Sequence, residues 1–178
     1  NNLFPLDYED IKKSIEQIEK RSLKNRDVAS WIFVKESTFH SSPFSVENWQ
    51  HNPLIFLNSI GGGHCDDRAS VLAKIWQIQG DSSRIMGIGG HIIPEILRNN
   101  AWNMYDPDNC VFYCDKDGAI KSVRDLELSL DSVNLAQCAD ELINPIFKFD
   151  NPITRHLTNL YRSYKNNHDV TEWHLNYS

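Results

Sequence analysis

The sequence predicts an α+β fold, in which helices come first, short antiparallel strands follow, and helices return at the end. Three observations predict it. Apolar residues recur at helical spacing before residue 80, short β-type runs replace them between 84 and 123, and helical patterns return after 130. No internal repeat or linker divides the 178 residues. A chain of this length is therefore expected to form one domain over 1–178.

The N-terminal third of the chain predicts three helices. From 7 to 23, isoleucines recur at helical spacing among Lys and Glu residues, which is typical of an amphipathic helix. Asp27 is expected to cap a second helix that runs to about His40. Asn52 followed by Pro53 predicts the start of a short apolar helix ahead of a run of three glycines.

The segment 64–80 predicts a longer helix. Acidic residues occupy its first turn, Ala, Leu and Trp side chains recur on one face, and Gly80 is placed to end it. The strand-like runs that follow are 84–97, 101–107, 110–114 and 119–123. Turn sequences such as Asn99-Asn100 separate them, so we expect an antiparallel sheet of three or four strands.

The C-terminal part is expected to return to helix. Ser122 is a candidate N-cap, and helices are expected at about 131–143 and 153–165, whereas the last dozen residues show no clear pattern.

Composition excludes several classes of protein. The net charge is −6 and basic residues are interspersed with acids, so we expect no nucleic-acid partner. The longest apolar runs are far shorter than the ~20 residues that cross a bilayer, so we expect no membrane span. Four cysteines are too few for a disulfide scaffold, and a cytoplasmic location is the expectation.

Cys65 is the candidate nucleophile. It follows three glycines and stands at the start of the predicted helix. The glycines let the backbone turn sharply, and the helix N-terminus offers free N–H groups and partial positive charge that favour a thiolate. The same N–H groups could stabilise the oxyanion of an attacked carbonyl. Asp66 and Asp67 oppose the thiolate, so an imidazole must supply most of the activation.

His91 is the candidate partner of Cys65. It follows two glycines and begins a strand-like run, and Asp106 comes after the next turn and strand. Two adjacent antiparallel strands would bring Asp106 beside His91, where a carboxylate fixes the imidazole tautomer and stabilises imidazolium. His64 is next to the nucleophile, but side chains at adjacent helix positions diverge, so it is expected to line the cleft or cap the helix.

The order of these residues resembles the transglutaminase-like superfamily, which shares the papain-type core. The resemblance rests on the stretch GHCDDRASVLAKIWQIQGDSSRIMGIGGHIIPEILRNNAWNMYDPD, and its motif core covers about 61–125. It implies a nucleophile helix packed on a small antiparallel sheet, with flanking N- and C-terminal helices. Pro94 departs from the strand texture expected after the histidine, which puts the edge pairing of that strand in question and leaves the triad unaffected.

The resemblance also implies roles for single residues. Cys65 would be the nucleophile, His91 the general base and acid, and Asp106 the residue that orients the histidine. The family tends to use a side-chain oxyanion donor upstream of the cysteine, for which Trp31 is the candidate, with Trp49 behind it. The variant looks most like bacterial members, some of which accompany surface-polysaccharide genes.

The function implied is cysteine-dependent acyl transfer on a peptide, an amide or a glycan-linked substrate. A thioester forms and is resolved by water or by an amine, and this chemistry needs neither a cofactor nor a metal. The alternative is a non-catalytic transglutaminase-like module that binds a peptide, glycan or protein partner in the same cleft.

Two further groups of residues have plainer readings. Cys110, Cys114, His64 and His91 are zinc-ligand types, but Cys-x3-Cys on a strand is a poor clamp and no second pair stands at finger spacing. Cys110, Cys114 and Cys138 are therefore expected to be structural thiols. Arg84 and Glu95 could pair near the site, although solvated surface charges are the simpler expectation.

Overall fold

The computed structural model describes residues 5–22, 24–42, 48–59, 61–115, 117–129 and 171–173. The helices are α1 (Tyr8–Ser22), α2 (Arg26–Ser37), a short 3₁₀ helix (Asn48–His51), α3 (Pro53–Asn58), α4 (Cys65–Ile78) and α5 (Val123–Ser129). The strands are β1 (Phe39–His40), β2 (Gly62–Gly63), β3 (Ser83–Ile88), β4 (His91–Arg98), β5 (Ala101–Met104) and β6 (Thr171–Trp173). This mixture of helices and an antiparallel sheet confirms the α+β class.

The main sheet is antiparallel and has the strand order β5-β4-β3-β6. Its fourth strand comes from 171–173, where the sequence showed no pattern, so strand β6 was missed. A three-residue strand is too short for alternation to be visible, and it exists because β3 offers it an edge. The sequence-predicted helices at 131–143 and 153–165 lie outside the described residues.

Two tight turns set the register of the sheet. Gly89 and Gly90 both have positive φ, at 56° and 82°, and they join β3 to β4 so that Ile88 pairs with His91. Asn99 and Asn100 also have positive φ and join β4 to β5 in the same way. Glycine and asparagine are the residues that tolerate this conformation in two-residue hairpins. The predicted turn at Asn99-Asn100 is confirmed.

Strand β4 is buried on both of its faces. Ile92 packs with Ala69 and Ala73 of α4, whereas Ile93 belongs to a second cluster that includes Val123 and Leu126 of α5. Sandwiching of this kind explains why the run HIIPEIL does not alternate between apolar and polar residues. Strand β4 therefore packs against helix α4 on one of its faces.

Pro94 pairs with Ile85 within an unbroken ladder between β3 and β4. Its carbonyl oxygen accepts from the N–H of Tyr105, which places its nitrogen on the β5 side as well. Strand β5 ends at Met104, so the donor that proline lacks falls just beyond the end of that strand. The missing N–H of Pro94 therefore interrupts neither the ladder with β3 nor the ladder with β5.

The predicted starts of two helices differ in outcome. Helix α2 is capped by Asn25, whose side chain accepts from the N–H of Val28. Asp27 lies inside the first turn, buried, and pairs with Arg98 at 2.7 Å, so the prediction that it caps the helix is wrong. The cap of α3 by Asn52, with Pro53 as first helical residue, is confirmed.

The end of α2 and the region after β5 also depart from the sequence predictions. Helix α2 stops at Ser37, because residues 39 and 40 pair with β2. The runs 110–114 and 119–123 form only isolated bridges, at Val111 and between Cys114 and Ile120. Cys110 has a φ of 57°, which breaks the extended backbone there.

The N-terminus of α5 confirms the predicted cap at Ser122. The Ser122 hydroxyl accepts from the N–H of Asp125, and the Asp125 carboxylate accepts from the N–H of Ser122. This reciprocal pair is a capping box.

Candidate active site

Cys65 is the first residue of α4, and the chain reaches it through β2. The Asp67 carboxylate accepts from the backbone N–H of His64 at 3.0 Å and so caps the helix. A Cβ at Gly63 would lie 2.5 Å from that carboxylate, so glycine is required for the capping approach. Helix α4 begins as the sequence predicts, with Cys65 half-buried in its first turn. The N–H groups of Cys65 and Asp66 belong to the set that no intrahelical carbonyl can accept.

His91 stands at the first position of β4, directly after the glycine turn, and is 4% exposed. Its Nε2 lies 2.7 Å from Oδ2 of Asp106. The Cys65 side chain interacts with the same imidazole and contributes to the rise of its pKa. An ionised carboxylate only accepts, so Nε2 carries the hydrogen that bonds to Asp106. Nδ1 is then the ring nitrogen left for the sulfur. The structure thus brings the three sequence-predicted residues together.

Asp106 is fully buried and held on every side. Its Oδ1 accepts from the backbone N–H groups of Asp108 at 2.8 Å and Asn109 at 3.0 Å. Its backbone N–H and C=O exchange hydrogen bonds with Val111. The loop 106–109 therefore folds around the carboxylate and aims Oδ2 at the histidine.

Asn109 is a site residue that the sequence analysis missed. Its Nδ2 donates to Oδ2 of Asp106 at 2.9 Å and lies 3.0 Å from Nε2 of His91. The amide therefore sits against the bond between carboxylate and imidazole. The sequence DPDN reads as a turn, and nothing in its local pattern indicates that the asparagine turns back toward the histidine.

The pKa of His91 reflects its surroundings. Burial alone would lower it, but the charge and hydrogen bond of Asp106, with a further hydrogen bond and charge from Cys65, raise the pKa from 6.5 to about 10. The imidazole is therefore held protonated at neutral pH. An imidazolium beside a cysteine sulfur is the condition that stabilises a thiolate.

Trp31 does not fit the oxyanion role that the resemblance implied. The side chain is fully buried, packs edge-on against Phe112, and donates its indole N–H to the backbone oxygen of Asp106 at 2.9 Å. The N–H is therefore committed to holding the loop of Asp106. The side chain of Trp49 lies outside the described part of the chain.

Arg68 connects helix α4 to two other segments. It is 3% exposed, and its Nε donates to Oγ1 of Thr38 at 2.9 Å. Its Nη1 donates to Oδ1 of Asp108 at 3.0 Å and lies 3.3 Å from the carbonyl oxygen of that residue. The Asp108 carboxylate also binds Nδ1 of His40 at 2.9 Å. The ring of His40 stacks on that of His64, with 5.7 Å between centroids.

The four residues of the zinc alternative do not assemble into a site. His91 faces Asp106 and Cys65, and Cys114 is disulfide-bonded. Among the described residues, the group with suitable spacing is instead His51, Asp66 and Asp67, whose ligand atoms lie within 4.8 Å of one another. In this group, Oδ2 of Asp67 caps α4, and Oδ1 of Asp67 lies 3.4 Å from Nε2 of His51.

The remaining cysteines differ from one another. Cys110 is a free, partly buried thiol, and burial raises its pKa. Cys114 is disulfide-bonded, so the prediction that it is a thiol is wrong. Disulfides are more usual outside the cytosol, so this bond does not favour the predicted cytoplasmic location, which stays a prediction. Cys138 lies outside the described residues.

Arg84 and Glu95 form the ion pair that the sequence suggested, at 2.6 Å, and Glu95 is fully buried. Its second oxygen accepts from the N–H of Val123 at the start of α5. The pair therefore ties α5 to the sheet and is not a surface pair.

No protein-family model, curated protein or solved structure matches the chain. Within the described residues, no helix combines the length and the apolar character needed to cross a membrane.

Proposed function

We propose that this protein is a cysteine-dependent acyl-transfer enzyme of the transglutaminase-like, papain-type class. The observation that carries the proposal is the buried contact between His91 and Asp106, at 2.7 Å, with the Cys65 side chain on the same imidazole. A cysteine at a helix N-terminus, a histidine and a buried carboxylate form the arrangement that activates a thiol nucleophile.

The reaction proposed has two halves. The Cys65 sulfur attacks the carbonyl carbon of a peptide, amide or glycan-linked substrate, and the leaving amine departs with the proton of His91. Water or an amine then attacks the thioester, gives its proton to His91 and releases the sulfur. Asp106 keeps Nε2 protonated and stabilises the imidazolium in both halves.

Stabilisation of the oxyanion is assigned to backbone groups. With the indole of Trp31 bonded to Asp106, the free N–H groups of Cys65 and Asp66 in the first turn of α4 are the candidate donors. A side-chain donor is therefore not part of the proposal.

Thiol reactivity tests the proposal without a known substrate. At pH 6.5, iodoacetamide should modify Cys65 faster than it modifies Cys110, whose pKa is raised by burial. Peptide mass spectrometry assigns the modified residue, and Cys110→Ala is the matched control that should leave the Cys65 rate unchanged. A Cys65 rate equal to that of a simple thiol such as glutathione at the same pH would contradict the proposal.

The class of substrate can be found by trapping the intermediate. The protein would be incubated with a mixed library of peptides and primary amines, and intact mass spectrometry would detect a thioester on Cys65 that hydroxylamine removes. Cys65→Ala should carry no adduct. The product mixture then separates hydrolysis from transfer to an amine.

One observation favours the second candidate, a non-catalytic binding module. Trp31, which the resemblance implied as oxyanion donor, is bonded to Asp106 instead. A module of this kind would bind a peptide or glycan with Cys65→Ala as tightly as with wild type, and its cysteine would alkylate like a simple thiol.

A further inference from the structure

Arg68 is a buried cation that has no role in the chemistry proposed above. It lies one helical turn after Cys65 on α4, with its guanidinium buried. Its donors reach Thr38, just before β1, and Asp108, in the loop that carries Asp106. One side chain therefore joins the nucleophile helix, the segment before β1 and the loop of the orienting carboxylate.

The path from Arg68 to the histidine consists of short contacts, of which the last is buried. Arg68 binds the Asp108 carboxylate at 3.0 Å, and the N–H of Asp108 donates to Oδ1 of Asp106 at 2.8 Å. Oδ2 of Asp106 then meets His91 at 2.7 Å. Cys65 is on the same helix as Arg68, and it interacts with the imidazole of His91. The contacts therefore lead from α4 through the loop of Asp106 and back to α4.

Helix α4 and the loop of Asp106 are not joined by their backbones in the described residues. In the described residues, no backbone hydrogen bond joins α4 to the loop 106–109. The hydrophobic effect has no preferred direction, whereas the planar guanidinium binds its acceptors in fixed directions. An apolar side chain could fill the same volume, but it would not set the distance between helix and loop.

We propose that Arg68 is a positioning residue that holds α4 and the loop of Asp106 at the separation that Cys65 and His91 require. The proposal rests on the function proposed above. It predicts that the arginine matters for the contact between sulfur and imidazole more than for stability. A misplacement of about 1 Å in such a site costs on the order of 10²-fold in rate.

The chain provides a matched control in Arg84. This residue also pairs with a buried carboxylate, Glu95. It does so between β3 and β4, which the backbone ladder already holds in register at the same two residues. Loss of the Arg84 fork should therefore reduce stability without changing the geometry at Cys65.

The test is the pH profile of Cys65 alkylation by iodoacetamide in the full chain. In wild type, the rate should already be high at pH 6.5. Arg68→Lys keeps the positive charge and loses the planar guanidinium. In this variant the rate at pH 6.5 should fall about 10²-fold. The pH profile should move toward that of a simple thiol, which has a pKa of ~8.5. In Arg84→Lys, the profile should match wild type.

Further variants keep the test decisive if Arg68→Lys does not fold. Thr38→Val retains Arg68 and removes one of its acceptors, and should give a smaller loss in the same direction. His40→Gln removes the exposed partner of Asp108 and should leave the profile unchanged, because Arg68 and Asp106 still hold the loop. Urea unfolding of each variant separates a change of geometry from a change of stability.

Two results would overturn the positioning role: an Arg68→Lys profile that overlays wild type, or an equal change in Arg84→Lys. Either can occur while wild-type Cys65 is fast and Asp106→Asn slows it, in which case the proposed function stands. If wild-type Cys65 itself reacts like a simple thiol and Asp106→Asn changes nothing, the proposed function fails instead.

Discussion

Strand β4 bears two residues that pair with an opposite charge in the protein interior, and the two pairs differ in their neighbours. His91, at the start of the strand, pairs with Asp106 and faces a cysteine on a helix N-terminus. Glu95, in the middle, pairs with Arg84, whose guanidinium lies 4.2 Å from the ring centroid of Trp102. Both carboxylates are fully buried.

Burial shifts the pKa at both places, so a shifted pKa does not by itself identify the site. Burial raises the pKa of Glu95, and the N–H of Val123 and the charge of Arg84 oppose the rise. The oxygens of Glu95 bind a neighbouring strand and a helix start, which are structural partners. Of the two pairs, only that of His91 interacts with a cysteine, and under the proposed function this contact distinguishes a reactive pair from a structural one.

The largest expected effect is the loss of the nucleophile at the reactive pair. Cys65→Ala should reduce turnover to background, because no thioester can form. Cys110→Ala, a change of the same size at the other free thiol among the described residues, should keep the wild-type rate. Activity retained by Cys65→Ala on any substrate that the wild type turns over would remove the basis of the comparison.

The next effect concerns the orienting carboxylate. Asp106→Asn should lower the rate by about 10⁴-fold if it selects the wrong imidazole tautomer, as the equivalent change does in a serine-protease triad. Residues that act as a unit are not additive, so a double variant with His91→Ala should match His91→Ala alone. Steady-state rates of the four proteins test this, and a double variant that loses the product of the two single effects would contradict it.

The structural pair should respond in the opposite way. Glu95→Ala leaves Arg84 without its buried partner and the N–H of Val123 without its acceptor, so the free energy of unfolding should fall by about 3 kcal/mol. The rate of Cys65 alkylation in the folded variant should not change. Urea unfolding and alkylation measured on one sample check both statements, and a slowed alkylation would mean that the two pairs are coupled.

A smaller effect is expected from pH. The pKa of His91 is raised in the folded state, so its contribution to stability is complete below about pH 6.5 and is lost as pH rises through about 10. The free energy of unfolding should therefore fall between pH 7 and pH 10. Asp106→Asn weakens the main cause of the rise, so its fall over this range should be shallower. The free energy of unfolding would be measured by urea unfolding at several pH values. An equally steep fall with pH in the two proteins would contradict the assignment.

Local sequence patterns predicted the parts of the molecule whose partners are close in the chain. The helix that begins at Cys65, the turn at Asn99-Asn100, and the caps at Asn52 and Ser122 were all predicted. Each depends on residues within about four positions, because helix capping and tight turns are local interactions. The proximity of Cys65, His91 and Asp106 followed from the order of the strands and from the resemblance.

The partners of individual side chains depended on the tertiary structure. The sequence predicts helices that include Trp31 and Arg68 and a turn that includes Asn109, but it does not indicate which groups these side chains bind. In the structure, the Trp31 indole donates to the backbone oxygen of Asp106 and the Asn109 amide donates to the Asp106 carboxylate. Arg68 donates to the Asp108 carboxylate. Their separations in sequence range from a few residues to 75. The sequence alone thus determined the fold class, the start of the nucleophile helix and the identities of the three candidate triad residues. Only tertiary structure decided which donors surround Asp106, because contacts between distant segments depend on packing, which local periodicity does not encode.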